Sequence, residues 1–338
     1  MKLRGKNVLV TGGAGFIGSH LVDALGDCQV RVLDDFSTGR EANLAHHAGN
    51  PRVEVIRGDI RNRDDVAAAM RGIDVVFHMV CRGVRHSIGH PVENHEANAT
   101  GALIVLGEAR KVGVERLVHI SSSEVYGTAR YAPMDENHPT FPETVYGAGK
   151  LAGEAYARAY HQTYGFPSVV IRPFNNFGPR AHHEGDSGEV IPRFIVWALC
   201  GKPPVIFGDG EQTRDFIYVE ETARWLCRVA ETDEAVGQTI NLGSGRETSV
   251  NELARIVCEE VGLAGIEPDF RPPRPGDVRR HLAAVDRARE LLGFEVEIGV
   301  REGIRRVVEH FRNVPGGPAS LLNDAQPVNW VPLEEQAS

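Results

Sequence analysis

Short apolar runs alternate with amphipathic stretches over the first half of the chain. Asn7–Thr11, Val30–Leu33, Val53–Arg57, Val75–His78, Leu117–Ser121 and Ser168–Arg172 are short, often β-branched, and bounded by Gly, Asp or Pro. They read as buried strands. Between them, Phe16–Leu25, Arg63–Met70, Glu96–Lys111 and Tyr146–Thr163 place apolar residues at helical spacing. Strand–helix alternation of this kind predicts an α/β fold, a doubly wound parallel sheet with helices on both faces.

After Pro173 the rhythm loosens. Pro, Gly and charged residues cluster over Gly178–Gly188, and Arg271–Arg280 is a Pro/Arg loop. Helices are predicted at Ile191–Cys200, Val219–Glu231 and Val250–Val261. This pattern divides the chain into a nucleotide-binding domain at 1–172 and a smaller C-terminal α/β lobe at 173–312. Residues 212–242 are expected to return to the first domain, with Gln238–Leu242 as an added strand. From Val314 the chain turns polar and rich in Pro and Gly, so 313–338 is expected to be a flexible tail.

Composition narrows the function. The chain has 338 residues with a formal net charge of -9. That balance carries no basic footprint for nucleic acid and disfavours a membrane-surface role. No stretch approaches the ~18 apolar residues that span a bilayer, and the N-terminus does not read as a signal peptide. The five cysteines are scattered and form no CxxC pair. They read as reduced thiols in a cytoplasmic protein, not as a metal or disulfide framework. His182, His183, Glu184 and Asp186 lack the spacing of a rigid ligand set, and no metal is expected.

The first strand runs into Gly12, Gly15 and Gly18, with Phe16 and Ile17 between the last two. Such glycines allow a tight turn, close backbone approach to a pyrophosphate and close helix packing. The amides of the helix that follows face the anion. The context is that of a Rossmann-type dinucleotide site. Asp34, ending the second strand, suits a ribose 2′-hydroxyl and repels a 2′-phosphate, favouring NAD over NADP. Arg40 lies several residues beyond it. Asp59, followed by Ile60, either holds the adenine amino group or caps a helix.

Tyr146 and Lys150 stand four residues apart, on one face of a helix. A neighbouring ammonium lowers a phenol pKa, and a phenolate can take a proton from a sugar hydroxyl. Ser122, in Ser121-Ser122-Ser123-Glu124, can share that hydrogen bond.

TGGAGFIGSH, DDFSTG, GDI, NATG, SSSEVYG, YGAGK, RPFNNFGPR, RDFIYV, NLGSG and RPGDVRR occur in that order. Between about residues 5 and 312 the chain resembles the extended short-chain dehydrogenase/reductase family, the nucleotide-sugar epimerases, dehydratases and decarboxylases. The resemblance implies a bound NAD that is recycled, and a catalytic set of Ser122, Tyr146 and Lys150. It implies that His78 and Asn98 lie along the cofactor, and that Asn175, Arg214 and Arg274 hold the nucleotide diphosphate. It also implies a homodimer paired through Glu96–Lys111 and Tyr146–Thr163. The chain departs from the pattern at His78-Met79-Val80-Cys81 and at Gly149.

The first step implied is oxidation of the sugar at C4. Three fates of the ketone follow: epimerisation at C4, loss of the 6-hydroxyl, or loss of a 6-carboxylate as carbon dioxide. Glu124 lies on the side of Ser122 and can act as a base or proton relay at C5. Ser123 with Glu124 resembles the decarboxylases and the GDP-mannose-type dehydratases, and Arg85 or Arg82 can hold a carboxylate. UDP-glucuronate decarboxylation is the leading expectation. A 4,6-dehydratase and a UDP-sugar 4-epimerase are the alternatives, and a non-catalytic NAD-binding regulator is the reading from another class. The RPGDVRR loop resembles the epimerases more than the decarboxylases.

Overall fold

The computed structural model describes residues 1–326 and 328–330. Its strands are β1 (Asn7–Thr11), β2 (Gln29–Asp34), β3 (Val53–Arg57), β4 (Val75–His78), β5 (Arg116–Ile120), β6 (Ser168–Pro173), β7 (Asn175–Phe177), β8 (Val205–Phe207), β9 (Thr213–Tyr218), β10 (Thr239–Leu242), β11 (Glu247–Ser249) and β12 (Asp269–Arg271). Seven of them form one sheet in the order β10-β6-β5-β4-β1-β2-β3, parallel at every pairing. This is the doubly wound Rossmann-type α/β fold.

The helices are α1 (Phe16–Ala24), α2 (Arg63–Ala69), α3 (Val84–Gly89), α4 (Pro91–His95), α5 (Gly101–Val112), α6 (Val145–Tyr164), α7 (Val190–Leu199), α8 (Val219–Glu231), α9 (Val250–Val261), α10 (Asp286–Leu292) and α11 (Val300–Arg312). Leu21 and Val22 of α1, Leu226 of α8 and Leu292 of α10 share one core with one face of the sheet. Val66 of α2, Leu106 of α5 and Ala157 of α6 share another with the opposite face. Both faces are covered, which explains why the strands read as continuous apolar runs. A third core, around Phe194, Trp197, Leu253 and Phe311, joins α7, α9 and α11 in the second lobe.

Three expectations need correction. Within 212–242, β10 joins the main sheet and α8 packs in its core, but β9 pairs with β7 and β11 in a three-stranded sheet of its own. The helix expected over Glu96–Lys111 begins as a π-helical turn at Glu96–Thr100 before α5. The described part of the supposed tail is not loose. The Trp197 indole donates to the Ala325 carbonyl at 2.8 Å, and Ala325 is buried. Residues 331–338 lie outside the described residues.

Candidate active site

The strand order reverses between β1 and β4, which opens a crevice beyond their C-terminal ends. A cavity of about 380 Å³ occupies it and extends into the second lobe. Gly12, Gly15, Phe16, Ile17, Gly18, Asp34, Asp59 and Ile60 line one end. Gly12 turns with φ +74°, and a Cβ at Gly18 would collide with the Gly12 carbonyl oxygen. No side chain caps the N-terminus of α1, so its amides stay free for an anion. Asp34 is buried and accepts from the Ala14 and Phe36 amides, each at 2.9 Å. Spare lone pairs remain on both its oxygens. This cradle fits a dinucleotide. Arg40 is tied to Glu184, outside the cavity wall. Asp59 does not cap α2, which Asn62 does. Its carboxylate instead grips Arg61 at 2.7 Å, and that pairing outweighs burial to hold its pKa below the usual range.

His78 and Asn98 stand behind the wall, not on it. His78 Nδ1 lies 2.8 Å from the Thr11 hydroxyl at the base of the glycine turn. Asn98 accepts from the Arg82 amide at 3.1 Å and donates to the Arg82 carbonyl at 3.0 Å. Both brace the segments that face the cavity.

In the middle of the cavity Ser122, Ser123, Glu124, Tyr146 and Lys150 converge. Thr144 caps α6 by accepting from the Gly147 amide at 3.1 Å, which fixes where Tyr146 emerges. The Ser122 hydroxyl accepts from the Glu124 amide at 3.2 Å and lines the same cavity as the Tyr146 phenol. Burial raises the phenol pKa well above its ordinary value, with nearby Cys81 adding to the rise and Ser122 opposing it. This differs from the expected lowering by Lys150: desolvation of the phenolate dominates. Lys150 is itself only 2 % exposed, and burial lowers its pKa. Glu124 is half-buried, and burial raises its pKa against the pull of Arg214 and Arg274.

At the far end Asp277 receives Arg214 at 2.7 Å and Arg274 at 2.6 Å, forming a paired cationic floor. Asn175 and Arg85 also line the cavity. Burial lowers the Arg85 pKa to about 10, with Arg274 adding to the fall and Glu189 opposing it. Arg82 also lines the cavity, but its guanidinium is engaged, 3.2 Å from Glu93 and 3.6 Å from Asp35. His182 and His183 are both engaged by Glu184. Cys81, Glu189, Arg193, Phe207 and Trp330 also line the cavity and were not singled out from sequence. For Cys81 the departure from the family pattern was the available signal; for Trp330 it was a lone aromatic in a polar tail.

A model of the NAD dependent epimerase/dehydratase family matches residues 8–243. The UDP-glucose 4-epimerase of Mycolicibacterium smegmatis is 39 % identical over 311 residues, covering 90 % of this chain and 98 % of that protein. UDP-glucuronic acid decarboxylase 2 of Arabidopsis thaliana is 37 % identical over 322 residues, covering 92 % and 69 %. The crystal structure of a dTDP-glucose 4,6-dehydratase from Streptomyces venezuelae, solved with NAD bound, superimposes with a TM-score of 0.87 at 32 % identity, covering 92 % and 98 %. The chain belongs to the NAD-dependent epimerase/dehydratase family, and so to the extended short-chain dehydrogenases/reductases. It is an NAD-dependent enzyme of the nucleotide-sugar epimerase, dehydratase and decarboxylase group.

Proposed function

We propose that the chain oxidises C4 of a UDP-linked sugar and acts as a UDP-glucuronate decarboxylase. The observation that carries this reading is Glu124, a half-buried carboxyl group with a raised pKa in the same cavity as Ser122 and Tyr146. Tyr146 accepts the O4 proton, with Ser122 holding the same hydroxyl. Tightly bound NAD supplies the hydride acceptor for C4 and later the donor. The 6-carboxylate is then β to a ketone. Its C5–C6 bond breaks, carbon dioxide leaves, and the electron pair passes through C5 to the carbonyl oxygen. Glu124 delivers the proton to C5, a task favoured by the burial that raises its pKa. Arg85 is the cation for the carboxylate, since Arg82 is engaged by Glu93 and Asp35. Asn175, Arg214 and Arg274 hold the diphosphate.

The 4-epimerase reading is favoured by one observation, the full-length similarity to a UDP-glucose 4-epimerase. In that case Glu124 is a structural acid. We also propose a homodimer formed through α5 and α6, which expose Leu103, Val112 and Tyr164. Mass spectrometry of products from UDP-glucuronate, alongside UDP- and GDP-hexoses, separates the readings. Loss of carbon dioxide supports the proposal. Loss of water from a hexose, or an unchanged mass with altered retention, replaces it.

A further inference from the structure

The glycine turn, Asp34, Tyr146, Arg214, Arg274, Phe207 and Trp330 all line one cavity. Gln212 links the arginine pair to Phe207, reaching Asp277 at 3.5 Å and the Phe207 carbonyl at 2.8 Å. A nucleotide sugar with its sugar at Tyr146 and its phosphates at the arginines has its base within reach of Phe207 and Trp330. Trp330 lies far beyond residue 243, where the match to the family model stops. It is brought there by a strap whose described residues, 314–326 and 328–330, pack against the second lobe.

The strap is fastened by buried polar contacts. Arg193 donates to the Gln326 carbonyl at 2.5 Å and to Asn329 Oδ1 at 3.1 Å. The Asn329 amide donates to the Gly185 carbonyl at 2.8 Å and the Gly188 carbonyl at 3.1 Å. Asn329 is 8 % exposed, so these bonds are shielded from water. They also tie the strap to the loop that carries Glu189 into the cavity. Trp330 meets Phe207 with ring centroids 4.8 Å apart at 73°. In an edge-to-face pair the edge of one ring meets the face of the other, so one ring keeps its faces clear of its partner, and both residues line the cavity.

We propose that the strap completes the substrate site, with Trp330 and Phe207 forming the slot for the planar base of a nucleoside diphosphate. This inference rests on the nucleotide-sugar reading. Stacking of a base on an aromatic ring gives affinity that alanine removes, about ten- to a hundredfold. The test is calorimetric titration of the full-length, NAD-loaded protein with UDP, dTDP, GDP and inorganic pyrophosphate. Trp330→Ala is expected to weaken nucleoside diphosphate binding by that factor, leave pyrophosphate binding unchanged, and leave the bound NAD in place. Trp330→Phe is expected to restore most of the affinity. The strap proposal is overturned if Trp330→Ala binds the nucleotide as wild type does, or if it weakens pyrophosphate equally. If the wild-type protein binds no nucleoside diphosphate, the proposed function itself fails.

Discussion

Tyr146 holds its proton more firmly than a phenol in water, because burial penalises the phenolate and Cys81 adds to the penalty. A base for a sugar hydroxyl needs the opposite, so positive charge must arrive in the cavity. Oxidised NAD brings one. The expected result is a phenol that titrates above its ordinary value in the NAD-free protein and falls when NAD binds. Ultraviolet difference titration of wild type against Tyr146→Phe measures this, and an unmoved titration would refute it. Glu124 gives the second prediction. Glu124→Gln is expected to keep the first oxidation and the loss of carbon dioxide but to slow C5 protonation, and with it formation of the reduced pentose product, about 10²–10⁴-fold, so that NADH accumulates. Normal turnover by that variant would make Glu124 structural. These residues were legible because each sits in a local motif: Ser122 and Glu124 at one strand end, Tyr146 and Lys150 on one helical turn. Cys81, Glu189 and Arg193 were not, because Cys81 follows β4 while Glu189 and Arg193 stand at the start of α7, and only the fold brings the two segments together. His78 and Asn98 were recognised, yet their hydrogen bonds turn them toward Thr11 and Arg82.

At the scale of the element, α6 is held by a buried ionic network beneath the turn that carries Tyr146 and Lys150. Glu154, fully buried and two turns beyond Tyr146, receives Arg172 Nε at 2.9 Å and the Ser121 hydroxyl at 2.9 Å. Arg172 in turn reaches the Tyr126 hydroxyl at 2.7 Å, which donates to Asn241 of β10 at 2.7 Å. One network thus joins α6 to β5, β6 and β10. Removing one member leaves buried charge without its counter-charge, so Glu154→Gln is expected to cost about 3–5 kcal/mol. Denaturant unfolding checks that figure. Burial raises the Glu154 pKa, but Arg172 and Arg158 outweigh it and leave it below the ordinary value. Its contribution is therefore present above the ordinary glutamate range and is lost as pH falls through the lowered pKa. The variant should show less of that acid-side loss than wild type. The helix itself was readable from its period. The π-helical turn at Glu96–Thr100 was not, since an extra residue per turn leaves the apolar pattern nearly unchanged.

Across the whole molecule, buried histidines join elements far apart in the chain. His20 on α1 lies 2.9 Å from the Pro179 carbonyl, and His281 lies 3.1 Å from the Gly127 carbonyl. With His78 they form a set held neutral by burial: the pKa of His20 falls to about 4, and those of His78 and His281 to about 3. Sequence could place these residues but not their desolvation, which arises only when loops from both lobes close over the sheet. The sign follows from linkage. Their pKa values are lower folded than unfolded, so their neutral forms stabilise the fold above the ordinary histidine value. That stability drains as pH falls, because the unfolded chain binds protons that the folded one refuses. Each histidine contributes a slope of up to about 1.4 kcal/mol per pH unit. Stability should therefore fall steeply from about pH 6 downward, before most carboxylates titrate. Denaturant midpoints measured across that range should drop in wild type. They should drop less in His20→Gln, which keeps a polar side chain at the Pro179 contact without a titrating one. A flat profile across that range would mean that the folded protein admits the charged imidazoles.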